Sequence, residues 1–243
     1  RRCEDACTRG SIDQAIAIDE VKKFIAQQDL DAETRYIPKK VVPSLNGSFS
    51  EKVAIIGAGP AGLSCAFYLA EKGYSPVIFE KNEKPGGMLR YGIPSFKLEK
   101  DVIDAEIDII KAMGVEIKCG IEVGKDVTLD ELRAQGYKAF YIAIGCQGGR
   151  KAGIPGEDAE GVMTAVDFLR TVGADESYPV TGKAVVVGGG NVAIDVARTA
   201  QRCGAESVAM FCLEPRDKMP ASEEEIAEAL EEDVTIDSLK TAV

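Results

Sequence analysis

The most constraining feature of the sequence is a strand–glycine turn–helix pattern that occurs twice. It is written "KVAIIGAGPAGLSCAFYLA" at residues 52–70 and "KAVVVGGGNVAIDVARTAQ" at residues 183–201. In both stretches an uninterrupted apolar run, of the kind buried in parallel sheets, precedes the glycines, and a helical pattern follows. The N-terminus of such a helix offers free N–H groups and a partial positive charge to phosphates. The doubled pattern therefore predicts an α/β chain with two dinucleotide sites.

The first unit fits the spacing G-x-G-x-x-G with Gly57, Gly59 and Gly62. Gly57 permits the tight turn, Gly59 lets the backbone approach a pyrophosphate, and Gly62 lets the helix pack close to the strand. The spacing also occurs in ordinary glycine turns, but here it lies between a strand and a helix. Glu80 ends the next strand, where a carboxylate can accept hydrogen bonds from both ribose hydroxyls. Dinucleotide binding is therefore predicted for this unit.

The second unit has Gly188, Gly190 and Ala193, with the permitted alanine in the third place. Its next strand ends near Glu214, at the position expected for the acid that reads the ribose. A 2′-phosphate at 4 Å from this carboxylate would meet a like charge and cost up to about 4 kcal/mol in an intermediate dielectric. This favours NADH over NADPH, although Arg216 lies two residues further on and opposes that preference.

Charge and composition exclude several classes of function. The chain has 29 Lys and Arg against 40 Asp and Glu, a net charge of −11, which disfavours nucleic acid and anionic lipid as partners. Histidine is absent, which excludes an imidazole base, a His-ligated metal and a Ser-His-Asp triad. No apolar run approaches the roughly 20 residues that cross a bilayer, so no membrane insertion is predicted.

The seven cysteines are odd in number, scattered, and never spaced as C-x-x-C. This is not a secreted disulfide framework, and it predicts a reducing, cytoplasmic location. Four of the cysteines lie in apolar helix or strand patterns and are interpreted as small packing residues: Cys65, Cys119, Cys203 and Cys212. Cys146 follows the predicted strand "KAFYIAIG", and both an inert and a reactive role are left open for it.

Periodicity and turn residues divide the chain into four segments. Residues 1–37 include a predicted helix at 11–29, and residues 38–52 form a linker rich in Pro, Ser and Gly. Residues 53–150 contain the first glycine unit. Residues 151–243 contain the second.

Two local patterns within the last segment predict side-chain interactions. Ser222 and Glu225 have the spacing of a capping box that starts an acidic surface helix. Asp195 and Arg198 lie three residues apart on the helix after the second turn and are interpreted as a simple helical ion pair.

Beyond the two glycine units, several further stretches are distinctive. They are "CEDACTRG", "AIDEVKKFI", "KPGGMLRYGIPSFKL", "YIAIGC" and "MPASEEEIAEALEE". With these stretches the chain resembles the FAD- and NAD(P)H-binding part of the glutamate synthase small subunit family. That family includes the N-terminal half of dihydropyrimidine dehydrogenase and the large subunits of ferredoxin:NADP transhydrogenases. The resemblance covers nearly all of the 243 residues.

The resemblance implies two Rossmann-like domains with central parallel sheets, the second inserted in the first, after a small helical iron–sulfur segment. The first unit is then expected to hold FAD and the second the nicotinamide cofactor. The residues expected at FAD are Gly57, Gly59, Pro60, Ala61, Gly62, Glu80, Lys81, Gly86, Gly87, Met88, Leu89, Ile93, Ala143 and Gly145. Those expected at NAD(P)H are Gly188, Gly190, Asn191, Val192, Ala193, Glu214 and Arg216.

The chain departs from the family pattern in three places. Leu213 and Glu214 stand where members that use NADPH usually have an arginine pair, which again favours NADH. The family's N-terminal module binds two [4Fe-4S] clusters, which take eight thiolates, but only Cys3 and Cys7 match as metal ligands here. Most cluster ligands are therefore expected upstream. The sequence ends at Val243 inside the second domain, and a truncated chain is expected.

The resemblance implies a flavoprotein oxidoreductase that passes hydride between NAD(P)H and FAD. Electrons would be relayed to or from iron–sulfur clusters and a partner subunit or ferredoxin in a hetero-oligomeric complex. Hydride transfer between two cofactors needs no protein acid or base, which agrees with the lack of histidine. One alternative is a disulfide reductase of the thioredoxin reductase type, which requires a C-x-x-C. Another is a non-catalytic scaffold that binds dinucleotides in a redox complex.

Two cations lie beside the loop expected to run along the flavin. For Arg90 and Lys97, two roles are left open: contact with phosphates or the flavin, and ordinary solvation at the surface.

Overall fold

The computed structural model describes residues 2–41 and 49–240. The helices are α1 (Arg2–Asp5), α2 (Ile18–Leu30), α3 (Pro60–Glu71), α4 (Met88–Tyr91), α5 (Lys100–Ala112), α6 (Leu129–Ala134), α7 (Ala165–Ala174), α8 (Asn191–Arg202) and α9 (Glu223–Glu231). The strands are β1 (Lys52–Ile56), β2 (Val77–Glu80), β3 (Glu116–Cys119), β4 (Tyr137–Ile142), β5 (Lys183–Val187), β6 (Ser207–Phe211) and β7 (Thr235–Asp237). Single 3-10 turns occupy Thr8–Ser11 and Arg216–Lys218.

The first sheet has the strand order β3-β2-β1-β4, and its strands are parallel. Strand β1 lies in the interior of the sheet, where Ala54 and Ile55 are fully buried. On one face, side chains of β1, α3 and α5 form a core that includes Ile55, Leu63 and Ile107. This arrangement places the glycine turn that follows β1 at the side of the sheet where the parallel strands have their carboxyl ends.

The second sheet has the order β5-β6-β7, also parallel. Helices α8 and α9 pack on it, and the fully buried side chains of Ile194, Met210 and Ile226 lie in their common core. On the other face of β5, Val185 and Val187 are exposed. The predicted α/β class with parallel sheets is confirmed, and the strands and helices around both glycine turns lie where the sequence patterns predicted them.

The predicted helix at 11–29 is wrong in its first part, because α2 begins at Ile18. Residues 8–11 instead form a 3-10 turn, and Arg9 pairs with Asp13. The carboxylate of Glu4 accepts a hydrogen bond of 3.0 Å from the N–H of Asp19, in the first turn of α2. The start of the helix is therefore set by a residue outside the local pattern.

The predicted linker at 38–52 lies partly outside the described residues, since 42–48 are not described. Its described ends both contact the C-terminal end of α3: Val41 N–H donates to the Glu71 carbonyl at 2.7 Å, and Phe49 N–H donates to the Gly73 carbonyl at 3.0 Å. The boundaries proposed at 37, 52 and 150 remain predictions. The last residues of the predicted second domain, 241–243, also lie outside the described part.

A search of the described residues finds no helix that is both long and apolar enough to span a membrane.

Candidate functional site

The first glycine turn connects β1 to α3 through backbone contacts that exclude side chains. Gly57 has φ +105°, and a Cβ there would lie 2.4 Å from the carbonyl oxygen of Ala143. A Cβ at Gly62 would lie 1.9 Å from the Gly57 carbonyl oxygen. By contrast, a Cβ at Gly59 would have only an ordinary contact of 3.8 Å, with Gly87. Gly57 and Gly62 are thus needed by the fold, whereas the space before Gly59 is open to a ligand.

The loop after β2 lies directly against this turn. Gly86 N–H donates to the Ala58 carbonyl at 2.8 Å, and a Cβ at Gly87 would lie 2.7 Å from the Gly59 Cα. Gly87 has φ +54° and directly precedes α4, which contains Met88 and Leu89. The structure therefore brings the predicted loop residues and the first glycine turn together, backbone to backbone.

Glu80 lies beneath the same turn and is 3% exposed. Its Oε2 accepts from the Ala58 N–H at 2.7 Å. Its Oε1 accepts from the Asn82 N–H at 2.9 Å and from the Asn82 side-chain amide at 2.7 Å. An ionised carboxylate offers about four lone-pair sites. These three bonds fix the side chain and leave acceptor capacity for a ribose hydroxyl.

The remaining predicted flavin residues occupy different places around the turn. Ala143 N–H donates to the Ile56 carbonyl at 2.8 Å, so Ala143 adjoins Gly57 at the end of β4. Ile93 is partly buried in the loop that follows α4, whereas Lys81 and Gly145 are exposed. Pro60 and Ala61 form the exposed first turn of α3.

Of the two roles left open for Arg90, ordinary solvation at the surface is wrong, whereas contact with phosphates or the flavin stays a prediction. Its side chain is buried, donates from Nε to the Pro85 carbonyl at 2.8 Å, and pairs with Asp104 of α5. Lys100 of the same helix donates to the carbonyls of Leu89 and Ile93. Arg90 is thus an internal brace of the loop and not a solvated cation.

The second glycine turn connects β5 to α8 and has the same division of roles. Gly188 has φ +144°, and a Cβ there would lie 3.3 Å from the Cβ of Ala193. Gly190 precedes α8 with φ −96°, and a Cβ there would meet no protein atom within 4 Å. Val192 is exposed beside it. The open side of this turn is at Gly190, just as it is at Gly59 in the first.

The segment before α9 braces the second turn from behind. Ala221 N–H donates to the Gly189 carbonyl at 3.0 Å, and Ser222 N–H donates to Oδ1 of Asn191 at 2.9 Å. Because the Ser222 N–H is bonded to Asn191, the predicted capping box is only half formed. Ser222 Oγ does accept from the Glu225 N–H at 3.4 Å, but the Glu225 carboxylate pairs with Lys97 instead of returning to Ser222.

Glu214 lies at the ribose-reading position of the second unit. A Cβ on Gly189 would lie 3.1 Å from its Oε2, so the carboxylate borders the glycine turn. Arg216 pairs with Glu223 of α9, with an N–O distance of 3.2 Å. The cation that was expected to oppose Glu214 is thus partly neutralised by another carboxylate.

A cluster of charges between the loop and α8 was not foreseen. Lys97 lies 2.5 Å from Asp195 and also pairs with Glu225, all three side chains being largely buried. Burial opposes the positive charge of Lys97, but its bonds to the two carboxylates outweigh this and raise its pKa. Burial raises the pKa of Asp195, against the attraction of Lys97. A solvated role for Lys97 is therefore wrong.

The predicted helical pair of Asp195 with Arg198 is also wrong. Arg198 is buried and turns toward α9, where it bonds to Glu228 and Glu232. The guanidinium also lies 4.8 Å from the ring centre of Phe96. The spacing of Asp195 and Arg198 in the sequence could not show that each had a closer partner elsewhere.

The four predicted packing cysteines differ from the other three in their surroundings. Burial raises the pKa of the four predicted packing thiols, as expected for inert side chains: Cys65, Cys119, Cys203 and Cys212. Near the N-terminus, backbone N–H groups of Ile16, Arg9 and Gly10 lower the pKa of Cys7. Cys3 and Cys146 are exposed.

The fit of an iron–sulfur cluster to the N-terminal residues is partial. The N–H groups around Cys7 favour a thiolate, the form that binds metal. A [4Fe-4S] cluster takes four cysteine ligands, and Cys3 and Cys7 provide two. Among the described residues, no group of three or more metal-binding side chains is found.

Comparison with known proteins identifies relatives over most of the chain. The family described as pyridine nucleotide-disulphide oxidoreductase matches residues 51–241. The chain is 41% identical to the NADP(+)-dependent formate dehydrogenase subunit beta of Moorella thermoacetica, covering 96% of this chain and 35% of the relative. It is 40% identical to the NAD-dependent dihydropyrimidine dehydrogenase subunit PreT of Escherichia coli K12, covering 96% and 55%. It is 37% identical to the NADPH glutamate synthase small chain of that strain, covering 96% and 51%.

Solved structures show the same fold at lower identity. Mycobacterium tuberculosis FprA in complex with NADPH is 24% identical, with a TM-score of 0.61 over 75% of this chain and 48% of that chain. Lactococcus lactis thioredoxin reductase is also 24% identical, with a TM-score of 0.56 over 78% and 65%. The chain spans about a third to just over half of the length of the curated relatives it matches.

Proposed function

The chain belongs to the pyridine nucleotide-disulphide oxidoreductase family, and from this premise we propose that it is the FAD- and NAD(P)H-binding part of an electron-transferring flavoprotein oxidoreductase. The observation that carries the proposal is the repeated turn: in each unit, a Cβ at the second glycine would meet no close protein contact, and a carboxylate stands at or just beyond the end of the next strand. The family resemblance stated from the sequence is confirmed by the relatives, which include glutamate synthase small chains and PreT subunits.

The first unit fits FAD. The open side of Gly59 and the N-terminus of α3 can receive the pyrophosphate, and Glu80 retains acceptor capacity for the ribose. Gly86, Gly87 and the residues of α4 would hold the flavin end, because their backbone is fixed against the first turn. When bound, the flavin supplies the hydride-accepting chemistry, which no protein side chain provides.

The second unit fits the nicotinamide cofactor. Gly190 and the N-terminus of α8 would receive its pyrophosphate, with Asn191, Val192 and Ala193 around it. The contribution of the protein is to orient the two cofactors and to exclude water, since hydride transfer between them requires no side-chain acid or base.

We propose that the cofactor is NADH. Glu214 borders the turn and would repel a 2′-phosphate, while Arg216 is paired with Glu223. The relatives include proteins named for NAD, NADP(+) and NADPH, so family membership alone does not decide between them. We expect Glu214→Ser to improve the kcat/KM ratio of NADPH to NADH by at least about tenfold. This factor corresponds to about 1.4 kcal/mol, which is about a third of the upper limit of about 4 kcal/mol for the repulsion. A ratio unchanged in Glu214→Ser would contradict this assignment.

A partner subunit is also proposed. Relatives are named as a subunit beta, a small chain and a subunit PreT, which supports a hetero-oligomeric redox complex. Cys3 and Cys7 would be ligands of an iron–sulfur cluster completed by cysteines outside this sequence. The seven free cysteines support a reducing, cytoplasmic location.

The test is the identity of the bound flavin and its dependence on the first turn. The full-length protein is purified, its cofactor is released and identified by chromatography, and the flavin-to-protein ratio is measured. FAD near one per chain is expected, and Gly59→Ala should lower this ratio severalfold while the protein remains folded by circular dichroism. A folded protein without flavin would contradict the proposal. The disulfide reductase alternative requires a C-x-x-C, and this sequence contains none.

A further inference from the structure

The loop that follows α4 contacts one face of α8 through two consecutive side chains. Lys97 pairs with Asp195, and the ring of Phe96 lies 4.8 Å from the Arg198 guanidinium and 4.1 Å from that of Arg202. We propose that these five residues, the interunit clamp, position the second nucleotide unit relative to the first, and that Lys97 is a positioning residue for hydride transfer. This inference rests on the proposed function.

The α8 side of the clamp is a continuous face. Asp195, Arg198 and Arg202 are spaced three and four residues apart, so they lie along one side of the helix. This helix begins at Asn191, directly after Gly190, the open glycine of the second turn. A displacement of α8 against the loop therefore moves the N–H groups that would hold the nicotinamide cofactor.

The loop side of the clamp belongs to a longer segment, residues 86–98, which is fixed to the first turn. At its beginning, Gly86 bonds to Ala58, and Gly87 is in backbone contact with Gly59. At its end, the N–H groups of Lys97 and Leu98 both donate to the Pro94 carbonyl. The segment between them is braced by Arg90 and by α5. Residues 86–98, an internally bonded segment that contains α4, thus connect the first turn to the clamp.

The charge balance of the clamp explains why Lys97 is its sensitive point. Lys97 lies between two carboxylates, Asp195 on α8 and Glu225 on α9. Removal of the ammonium group would leave Asp195 without its cation and Glu225 with only the Arg198 guanidinium, 3.9 Å away. An unpaired, largely buried charge such as that of Asp195 is strongly unfavourable. With its link to the loop lost, the second unit would shift relative to the loop. Helices α8 and α9 would move together, because Arg198 and the segment before α9 hold them to each other and to the second turn.

The functional consequence is specific. Hydride transfer requires the reacting atoms to be held about 3–3.5 Å apart, and a misplacement of 1 Å can cost about a hundredfold in rate. Affinity for each cofactor depends on its own turn and is not expected to follow this alignment. Loss of Lys97 should therefore reduce the rate of flavin reduction while FAD content and nucleotide affinity are preserved.

The experiment uses the full-length, FAD-loaded protein and compares Lys97→Met with Lys111→Met. Lys111 is a matched control because it pairs with Asp108 on the exposed face of α5, outside the clamp. Flavin reduction at saturating NADH is followed anaerobically by stopped-flow absorbance. The dissociation constant for NAD⁺ and the flavin-to-protein ratio are measured in parallel. Hydrogen exchange of residues 93–98 and 191–196 reports the clamp independently of activity.

Lys97→Met is expected to slow flavin reduction at least tenfold, with less than a threefold change in NAD⁺ affinity and unchanged FAD content. Exchange should accelerate in both clamp segments, and Lys97→Arg should recover the rate to within threefold. Phe96→Leu provides a second variant that leaves the charges intact and should slow reduction by a smaller factor. Lys111→Met should match the wild type in every readout.

Two results would overturn the proposal. One is a rate in Lys97→Met within twofold of the wild type. The other is a rate loss accompanied by an equal loss of NAD⁺ affinity or FAD, because that would indicate general structural damage. Failure of the proposed function is distinguishable, since wild-type flavin would then not be reduced by NADH at all.

Discussion

Replacement of Gly190 by alanine should separate nucleotide binding from folding in the second unit. Gly190 has φ −96° and ψ 171°, an extended conformation open to any L-residue. A Cβ there meets no protein atom within 4 Å. Gly→Ala substitutions without strain stabilise proteins by about 0.4–1 kcal/mol, through the lower entropy of the unfolded chain. We therefore expect thermal unfolding to occur at or slightly above the wild-type temperature.

The same methyl group should impair binding. The second glycine of the fingerprint is the point at which the backbone comes closest to the pyrophosphate, so an added methyl occupies space that the ligand needs. An increase of at least tenfold in the dissociation constant, or about 1.4 kcal/mol, is expected. FAD content should not change, because the first turn is untouched.

The assay is a calorimetric titration of the full-length protein with NAD⁺, which cannot reduce the flavin. Gly148→Ala is the control, since Gly148 also has open space at its Cβ position and lies outside both turns. An unchanged NAD⁺ affinity in folded Gly190→Ala would refute the placement of the pyrophosphate at this turn.

Three further predictions concern stability and metal content. Gly62→Ala should lower the free energy of unfolding by at least about 1 kcal/mol in chemical denaturation, because the added Cβ would lie 1.9 Å from the Gly57 carbonyl oxygen. A variant as stable as the wild type would contradict this close approach of α3 to the turn. The pKa of Glu232 is lowered by Arg202 and Arg198, so its contribution to stability is present above its ordinary pKa of 4.5 and lost as the pH falls through the lowered value. Thermal unfolding of Glu232→Gln should therefore depend less on pH in this acidic range, and an identical pH profile would contradict the pairing. Cys7→Ser in the full-length protein should lower the iron-to-flavin ratio, and an unchanged ratio would exclude Cys7 as a ligand.

The elements around both turns could be predicted because their signals are local. Apolar runs, glycine spacing and helix starts lie within about 20 residues in each unit, and the strands and helices were found there. Gly57 and Gly62 also occupy the structural roles that the fingerprint assigns to them. Here local sequence and tertiary structure require the same residues.

The charge cluster could not be predicted because its partners are far apart in the chain. Lys97 and Glu225 are 128 residues apart, and no spacing rule relates them. Arg198 likewise selects Glu232, 34 residues away, over the nearer Asp195. The start of helix α2 could not be predicted from its own residues either, because the N–H of Asp19 is bonded to Glu4, 15 residues away. In each case the folded structure, and not the spacing of residues in the sequence, decides which of several charged residues becomes the partner.

The most direct test of the central claim is an anaerobic titration of the full-length protein with NADH, followed by visible absorption. If the two turns hold FAD and NADH for direct hydride transfer, the flavin absorption bands bleach as NADH is added, and they bleach faster with NADH than with NADPH. Flavin bands that persist in the presence of excess NADH would contradict the account.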